Sequence, residues 1–330
     1  MGSGINNPSP LMLSIAIPTW NRATTLDKAL DFLLPQVSEF KQHVQIVISD
    51  NASDDNTTEI INKHFLKYSS ISFIHNKNEV NIGFFGNFKK CRELSTGKYL
   101  WILSDDDFVC NNIVFELINN LIEGEYSTIF LKNNFKSNSF IKSKRISTEL
   151  LEKETYNLGL ISSVIFLNDK SNDSLLFNKY LDSPFIGFIF MLNSFRFKSL
   201  TLTIEGECLY AANHVSSVTN FFDVFVNGME DVINYFHFTD TSSMLIKRFR
   251  IQYLVKFLLP SYVLYKVQNK THAADNKYNS IKIAEMSINK FYSDLIYYWL
   301  LFFPLIIIPK SLLLVGLKFY KYLKSYCYVS

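Results

Sequence analysis

Short apolar runs alternate with amphipathic stretches over the first hundred residues. Leu13-Ser14-Ile15-Ala16-Ile17 closes at Pro18 and predicts a buried strand. Leu26, Ala29, Leu30 and Leu33 recur at helical spacing, so a helix capped by Thr24 or Thr25 is expected to run to about Leu34. Val44 to Ile48 reads as a second strand leading into Ser49-Asp50-Asn51, and a helix follows from about Thr57 to Phe65. Ile71 to Ile74 is a third strand, a loop covers Asn76 to Gly86, and a helix spans about Asn87 to Leu94. The fourth strand, Lys98 to Leu103, ends at Ser104-Asp105-Asp106-Asp107. This βαβαβαβ order predicts an α/β fold with a mostly parallel sheet and helices on both faces. Such sheets bind ligands beyond the carboxyl ends of their strands, where the polar clusters at 19–22, 50–51 and 105–107 fall.

The rest of the chain is less regular. Helices are expected over Ile113–Ile122, about Pro184–Phe195 and Phe221–Phe238, with strands at Thr128–Leu131, Ser162–Leu167 and Leu200–Ile204. From Met244 onward, lysines and arginines mix with Leu, Ile, Phe and Tyr. The division expected from this change is an α/β domain over 11–240 and a basic, apolar helical tail over 241–330. Leu295–Leu317 is long enough for one membrane span, or for a buried core helix. Pro304, Pro309 and Lys310 interrupt it, which favours a broken segment lying along a membrane surface.

Charge sharpens that reading. Residues 245–330 carry 13 Lys/Arg against 3 Asp/Glu, whereas residues 1–244 carry 20 against 27. A basic and apolar tail fits an anionic membrane surface and not nucleic acid. Cys91, Cys110, Cys208 and Cys327 are scattered without a CxxC pair, so neither a zinc site nor a disulfide framework is expected, and a reducing compartment fits. The apolar run Leu11–Ile17 is too short, and lacks the basic flank, for a secretory signal. Neither GxGxxG nor GxxxxGK[ST] occurs, so dinucleotide-binding and P-loop readings lack their main feature.

Three adjacent carboxylates at a strand end repel one another, and a hard divalent cation is the natural counter-charge. A solvated acidic turn or a helix cap is the plain alternative. Asp50-Asn51 has the groups to hydrogen-bond a nucleobase or ribose, or merely to build an Asx turn. Arg22 can face phosphate or solvent. Lys89 and Lys90 sit mid-helix, where an exposed lysine needs no special account.

Four segments together resemble the family 2 glycosyltransferases of GT-A fold: LSIAIPTWNR (13–22), VQIVISDNASDDNTTEI (44–60), NIGFFGN (81–87) and GKYLWILSDDD (97–107). The SDNAS and SDDD forms are most similar to the branch that includes O-antigen abequosyltransferases. Two departures stand out: Trp20 replaces the family's usual Tyr, and Phe85-Gly86-Asn87 stands where an ARN-like motif is usual. The resemblance implies a donor site at Pro18, Thr19, Trp20, Arg22, Asp50, Asn51, Asn87, Asp105 and Asp106, with Thr19 and Asp50 on the nucleobase. It implies that Asp107 binds Mg²⁺ or Mn²⁺ and that Asp105 holds the ribose or a metal-bound water. Gly159 with Ser162-Ser163, Asp182 and His214 then follow in the family's order of acceptor loop, catalytic base and late metal ligand, with Glu207 and Asp231 as rival bases.

The implied activity is transfer of a sugar, such as a 3,6-dideoxyhexose, from a CDP-, UDP-, GDP- or dTDP-linked donor. The implied acceptor is a lipid-linked oligosaccharide in O-antigen or surface polysaccharide synthesis. The expected place is the cytoplasmic face of the bacterial inner membrane. A nucleotide-binding scaffold without turnover and a metal-dependent phosphohydrolase are the other readings of the same residues.

Overall fold

The seven-residue run VQIVISD is buried along its whole length, and LSIAIPT at every position but Pro18, which is how strands covered on both faces read. A computed structural model of the chain describes residues 11–137, 139–154, 160–211, 222–239, 241–268 and 281–315. Two compact units emerge, Met1–His214 and Val215–Ser330. This division falls ahead of the change in composition near residue 240, because a π-helical turn at Asp223–Asn227 packs on the helix Ile281–Tyr292.

In the first unit the predicted alternation is present as β1 (Leu13–Thr19), α1 (Ala23–Ser38), β2 (Val44–Asp50), α2 (Thr57–Lys67), β3 (Ser72–Lys77), α3 (Gly83–Leu94) and β4 (Tyr99–Ile102). A short strand β5 (Asp107–Val109) then precedes α4 (Ile113–Glu123). Next come β6 (Thr128–Asn133), β7 (Ile141–Ile146), α5 (Ser147–Glu154), β8 (Val164–Leu167), α6 (Asp173–Tyr180) and α7 (Ile186–Ser194). The unit closes with β9 (Leu200–Gly206) and β10 (Leu209–Ala211). Eight strands form one sheet in the order β3-β2-β1-β4-β8-β6-β9-β7, and β10 pairs with β5 in a two-stranded sheet.

Strand direction fixes where the polar ends emerge. β1, β2, β3 and β4 run parallel, β8 is antiparallel to both β4 and β6, and β9 is parallel to β6. The carboxyl ends of β1, β2, β4, β6 and β9 therefore share one edge of the sheet. The edge strands are the polar ones: β3 reads SFIHNK, and β7 reads IKSKRI, with lysines that oppose pairing to another chain.

Two expectations change. Neither Thr24 nor Thr25 is the N-cap of α1, which starts at Ala23 directly after Arg22, and Ala23 N donates to Asp55 Oδ2 at 3.0 Å. Asp55 Oδ1 also accepts from Thr57 N at 3.0 Å, so one carboxylate from the β2–α2 loop serves two helix starts. Asp107 opens a strand and not a helix, because its backbone pairs with Ala211.

One buried ion pair ties α3 to α6. Arg92 is 1% exposed, donates Nε to Asp173 Oδ2 at 2.8 Å and Nη2 to Asp173 Oδ1 at 2.7 Å, and lies 4.1 Å from the Phe190 ring centre. Burial pulls the guanidinium below its ordinary value, against the pull of Asp173. Arg92→Ala leaves Asp173 without its cation, so a loss of about 3 kcal/mol in unfolding free energy is expected. Urea denaturation checks this; an unchanged midpoint would show that the pair carries no net stability.

The second unit is helical among its described residues: α8 (Gly228–Phe238), α9 (Ser243–Tyr253), α10 (Leu259–Gln268), α11 (Ile281–Tyr292) and α12 (Phe303–Ile307). Tyr253, Tyr262, Tyr298, Phe249 and Phe302 fill its interior. Tyr262 donates to Glu285 Oε1 at 2.6 Å, and Lys266 Nζ caps the carbonyls of Leu305 and Ile306 at 2.6 and 2.7 Å. No helix among the described residues is long and apolar enough to cross a membrane.

Candidate active site

The end of β1 meets the loop after β4 through side chains. Thr19 Oγ1 donates to Asp105 Oδ2 at 2.7 Å. Arg22 Nη1 donates to Asp105 Oδ1 at 3.1 Å and to Asp106 Oδ2 at 2.5 Å. Ser104 Oγ completes Asp106 at 2.5 Å from its other oxygen. Four residues named from sequence, Thr19, Arg22, Asp105 and Asp106, thus form one bonded cluster.

Asp107 is held differently. Ser162 hydrogen-bonds its carboxylate, and the same Ser162 Oγ accepts from Ser104 N at 2.9 Å. Ser162 is fixed in turn, because its carbonyl accepts from Trp101 Nε1 at 2.7 Å. No Lys or Arg pairs with Asp107 among the described residues.

Electrostatics mark the cluster as short of positive charge. Burial pushes the Asp105 carboxyl up to about 6, although Thr19 and Arg22 pull it down. Burial also raises Asp107, against the Ser162 bond and with repulsion from Asp106 adding to it. Burial opposes the charge on Arg22, yet the two carboxylates outweigh it and hold the guanidinium above its ordinary value. One arginine therefore serves two of three adjacent acids, and Asp107 is left without a cationic partner among the described residues.

The second polar edge is a built loop. Asp50 is fully buried, with Oδ1 accepting from Ser53 N at 2.9 Å and Lys77 Nζ 3.7 Å from Oδ2. Asn51 Nδ2 donates to Asn81 Oδ1 and Gly83 O, while its Oδ1 accepts from Asn78 Nδ2 and Ile82 N. All its side-chain bonding capacity thus holds the 78–83 loop. Asn87 is equally enclosed, bonded to Ser49 Oγ, Ser49 O and Asn78 Nδ2. Pro18 lies in β1, opposite Ser49. Trp20 is 52% exposed beside the cluster, and the backbone turns at once through Asn21 at φ 52°. Asn51 N donates to Thr19 O at 2.9 Å, which joins the two strand ends.

The fit to a divalent cation rests on Asp105 and Asp107. Both are oxygen donors with raised carboxyl values, and Asp107 lacks a cationic partner. Among the described residues no three His, Cys, Asp or Glu side chains converge as a cage. Two carboxylates with the remaining positions left to water and phosphate oxygens is the usual arrangement for magnesium.

Residues 14–173 match the family profile described as Glycosyl transferase family 2. This segment is a family 2 glycosyltransferase domain. An abequosyltransferase of Salmonella typhimurium, RfbV, is 37% identical over 97 residues, covering 29% of this chain and 28% of that protein. A Campylobacter jejuni enzyme named GalNAc(5)-diNAcBac-PP-undecaprenol beta-1,3-glucosyltransferase is 27% identical over 185 residues, 53% of this chain and 56% of that one. The chain spans only 28–33% of the length of the first curated relatives it matches. Among solved structures, S. aureus TarS with UDP-GlcNAc superposes with a TM-score of 0.55 at 14% identity, over 79% of this chain and 76% of that one. A mannosyltransferase from Pyrobaculum calidifontis, solved with GDP-Man and Mn²⁺, gives 0.54 at 10% identity over 75% and 71%. At those identities the likeness is one of fold, and the mostly parallel sheet is that of GT-A structures.

Among the described residues, none of the candidate bases bonds to the cluster. Asp182 is exposed in the turn between α6 and α7, and no bond among the described residues ties it to the carboxylates. Glu207 stands between β9 and β10, 3.4 Å from Tyr210 Oη. Asp231 lies on α8 in the second unit. His214 and Gly159 fall outside the described residues. Sequence reading placed Ser162 only in an acceptor loop and passed over Ser104, Ser53 and Lys77. The signal for Ser162 was a serine pair set inside the apolar stretch 160–167.

Proposed function

We propose that the chain transfers a sugar from a nucleotide-diphosphate donor to a hydroxyl of a lipid-linked oligosaccharide. The bonded cluster of Thr19, Arg22, Asp105 and Asp106, with Asp107 beside it on the sheet's ligand-binding edge, carries this reading. Breaking the sugar–phosphate bond leaves negative charge on the departing diphosphate, so a site for it needs positive charge and fixed donors. Asp105 and Asp107 would hold Mg²⁺ or Mn²⁺, which supplies Lewis-acid stabilisation of that leaving group when bound. Arg22 balances Asp105 and Asp106 and is free to turn to phosphate once their charge is otherwise met. Asp50, at the end of β2 with Lys77 beside it, would meet the nucleobase.

Several relatives support parts of this. One is named for an undecaprenol-diphosphate acceptor, RfbV for abequose, and structures of similar fold were solved with UDP-GlcNAc and with GDP-Man and Mn²⁺. Asp182 is the proposed base that takes the acceptor proton, and Asp182→Asn then lowers kcat with donor affinity unchanged. A steady-state split in which only KM moves would transfer that role to Glu207.

Membrane association is part of the proposal. Ile296, Trp299, Leu300, Ile307, Leu312 and Val315 are all exposed near the end of the described chain. They accompany a basic tail, and a lipid-linked acceptor resides at a bilayer. The cytoplasmic face of a bacterial inner membrane is the proposed location.

The deciding experiment screens CDP-, UDP-, GDP- and dTDP-sugars against the full chain with Mn²⁺, by thermal shift and by nucleotide release. A donor at a hundred times its Kd stabilises by about 2.7 kcal/mol. Binding without nucleotide release in any acceptor extract would leave a scaffold, and absence of binding would overturn the reading.

A further inference from the structure

A second cleft of about 760 Å³ opens in the first unit, outside the carboxylate cluster. Phe32, Phe140 and Tyr210 provide its aromatic walls, and Glu116, Lys142 and Glu207 its charges. It lies along the same sheet edge as the cluster: Glu207 and Tyr210 follow β9, Phe140 follows β6, and Glu116 is in the first turn of α4.

The aromatic rings are fixed before any ligand arrives. Phe32 stacks on Phe108 with centres 5.6 Å apart and planes 21° from parallel. Tyr210 stacks on Phe135 at 5.1 Å and 22°. Yet Phe32 remains 51% exposed and Tyr210 48%. Tyr210 also pairs with Phe108 across β5–β10, and Phe108 directly follows Asp107. Both platforms are thereby registered to the proposed metal carboxylate. Phe140 lies against Gly206, where an added Cβ would come within 2.6 Å of its ring.

Flat, preset aromatic surfaces beside carboxylates suit a ligand with apolar C–H faces and hydroxyl edges. Burying the C–H face on a ring gains hydrophobic contact without ordering cost, and carboxylates accept from hydroxyls. Glu116 is paired to Lys142 at 3.0 Å, whereas among the described residues Glu207 meets the Tyr210 hydroxyl and no cation, so the cleft disfavours anions. Its volume lies in the range of small-molecule sites and exceeds one sugar ring. We propose that this cleft binds a neutral oligosaccharide, the stem of the acceptor whose terminal hydroxyl reaches the carboxylate cluster. The inference rests on the glycosyltransferase reading for the identity of that ligand as acceptor.

The test uses the full chain with labelled Phe and Tyr rings, titrated with maltopentaose, cellopentaose and chitopentaose. At least one should shift Phe32, Phe140 and Tyr210 resonances. Tyr210→Ala and Phe32→Ala, both surface changes, should each weaken that binding about tenfold. Gly206→Ala, whose Cβ would displace the Phe140 ring from its place in the cleft wall, should do the same. Nucleotide-sugar binding, measured on the same variants, should stay unchanged. Absence of ring shifts with all three pentasaccharides, or shifts that persist in Tyr210→Ala and Phe32→Ala, overturns the cleft. Loss of donor binding in the unsubstituted protein would instead sink the glycosyltransferase reading and leave the cleft's sugar binding measurable.

Discussion

Asp107→Asn is expected to lower glycosyl transfer by about 10²- to 10³-fold, the usual cost of removing one group that stabilises charge in a transition state. The substitution keeps the shape and one oxygen for the Ser162 bond. It removes the charge of the one acid in the triple-Asp run that Arg22 does not touch. Since burial already disfavours the ionised form of Asp107, the folded protein gains slightly from the change, and thermal stability should hold or rise. That separates a chemical effect from a folding one. Asp106→Asn provides the contrast, because Asp106 is occupied by Arg22 and Ser104 and should matter less. Chelation of divalent ions should reproduce the Asp107 loss in the unsubstituted protein. Nucleotide release is the measurement, with and without EDTA. Full turnover in EDTA together with full turnover of the Asp107 variant would remove the metal from the mechanism.

What could be read in advance follows burial. β1, β2 and β4 are covered on both faces, so their apolar runs are continuous and their ends are marked by polar residues. β7 lies at an edge, buries none of its residues fully and carries three basic side chains, so it does not stand out as a strand. β5 and β10 have three residues each and exist through pairing with one another. Arg92 looks like any helix-surface arginine until α6 folds over it, 81 residues away. The site divides the same way. The Thr19, Arg22 and Asp105–Asp107 clusters were visible as strand-end polar groups. Asn51 and Asn87 are named from sequence as donor-site residues, and the fold adds that their side chains bond the 78–83 segment and the end of β2, neighbours that only three dimensions reveal. Asp55 went unnoticed as a cap shared by two helices for the same reason.

Leu300→Asp combined with Ile307→Asp should weaken binding to anionic liposomes by about 10²- to 10³-fold. Leu300 is 65% exposed and Ile307 67%, so neither supports the interior of the second unit. Each apolar side chain of this size is worth roughly 1.5–3 kcal/mol on full transfer out of water. The segment's shape suits shallow insertion. α12 ends at Ile307, Ile308 is extended ahead of Pro309, and helix resumes over 310–315 with Leu312 and Val315 exposed. Lys266 satisfies the carbonyls at the break from within the unit, so these need no lipid-side partner. Two contributions to binding should then separate with salt. Attraction of the basic residues is worth about 1 kcal/mol per charge near the surface and fades with ionic strength. Apolar insertion persists. Reversing Lys318, Lys321 and Lys324, which lie outside the described residues, should remove mainly the salt-sensitive part. The Leu300/Ile307 double variant should remove mainly the salt-resistant part, with thermal stability in solution unchanged. Liposome flotation at low and high salt reads both. Binding that vanishes entirely at high salt in the unsubstituted protein would show that no side chain enters the bilayer. A Ser330 tag cleaved from the side opposite the catalytic domain in sealed vesicles would replace the surface-lying tail with one that crosses.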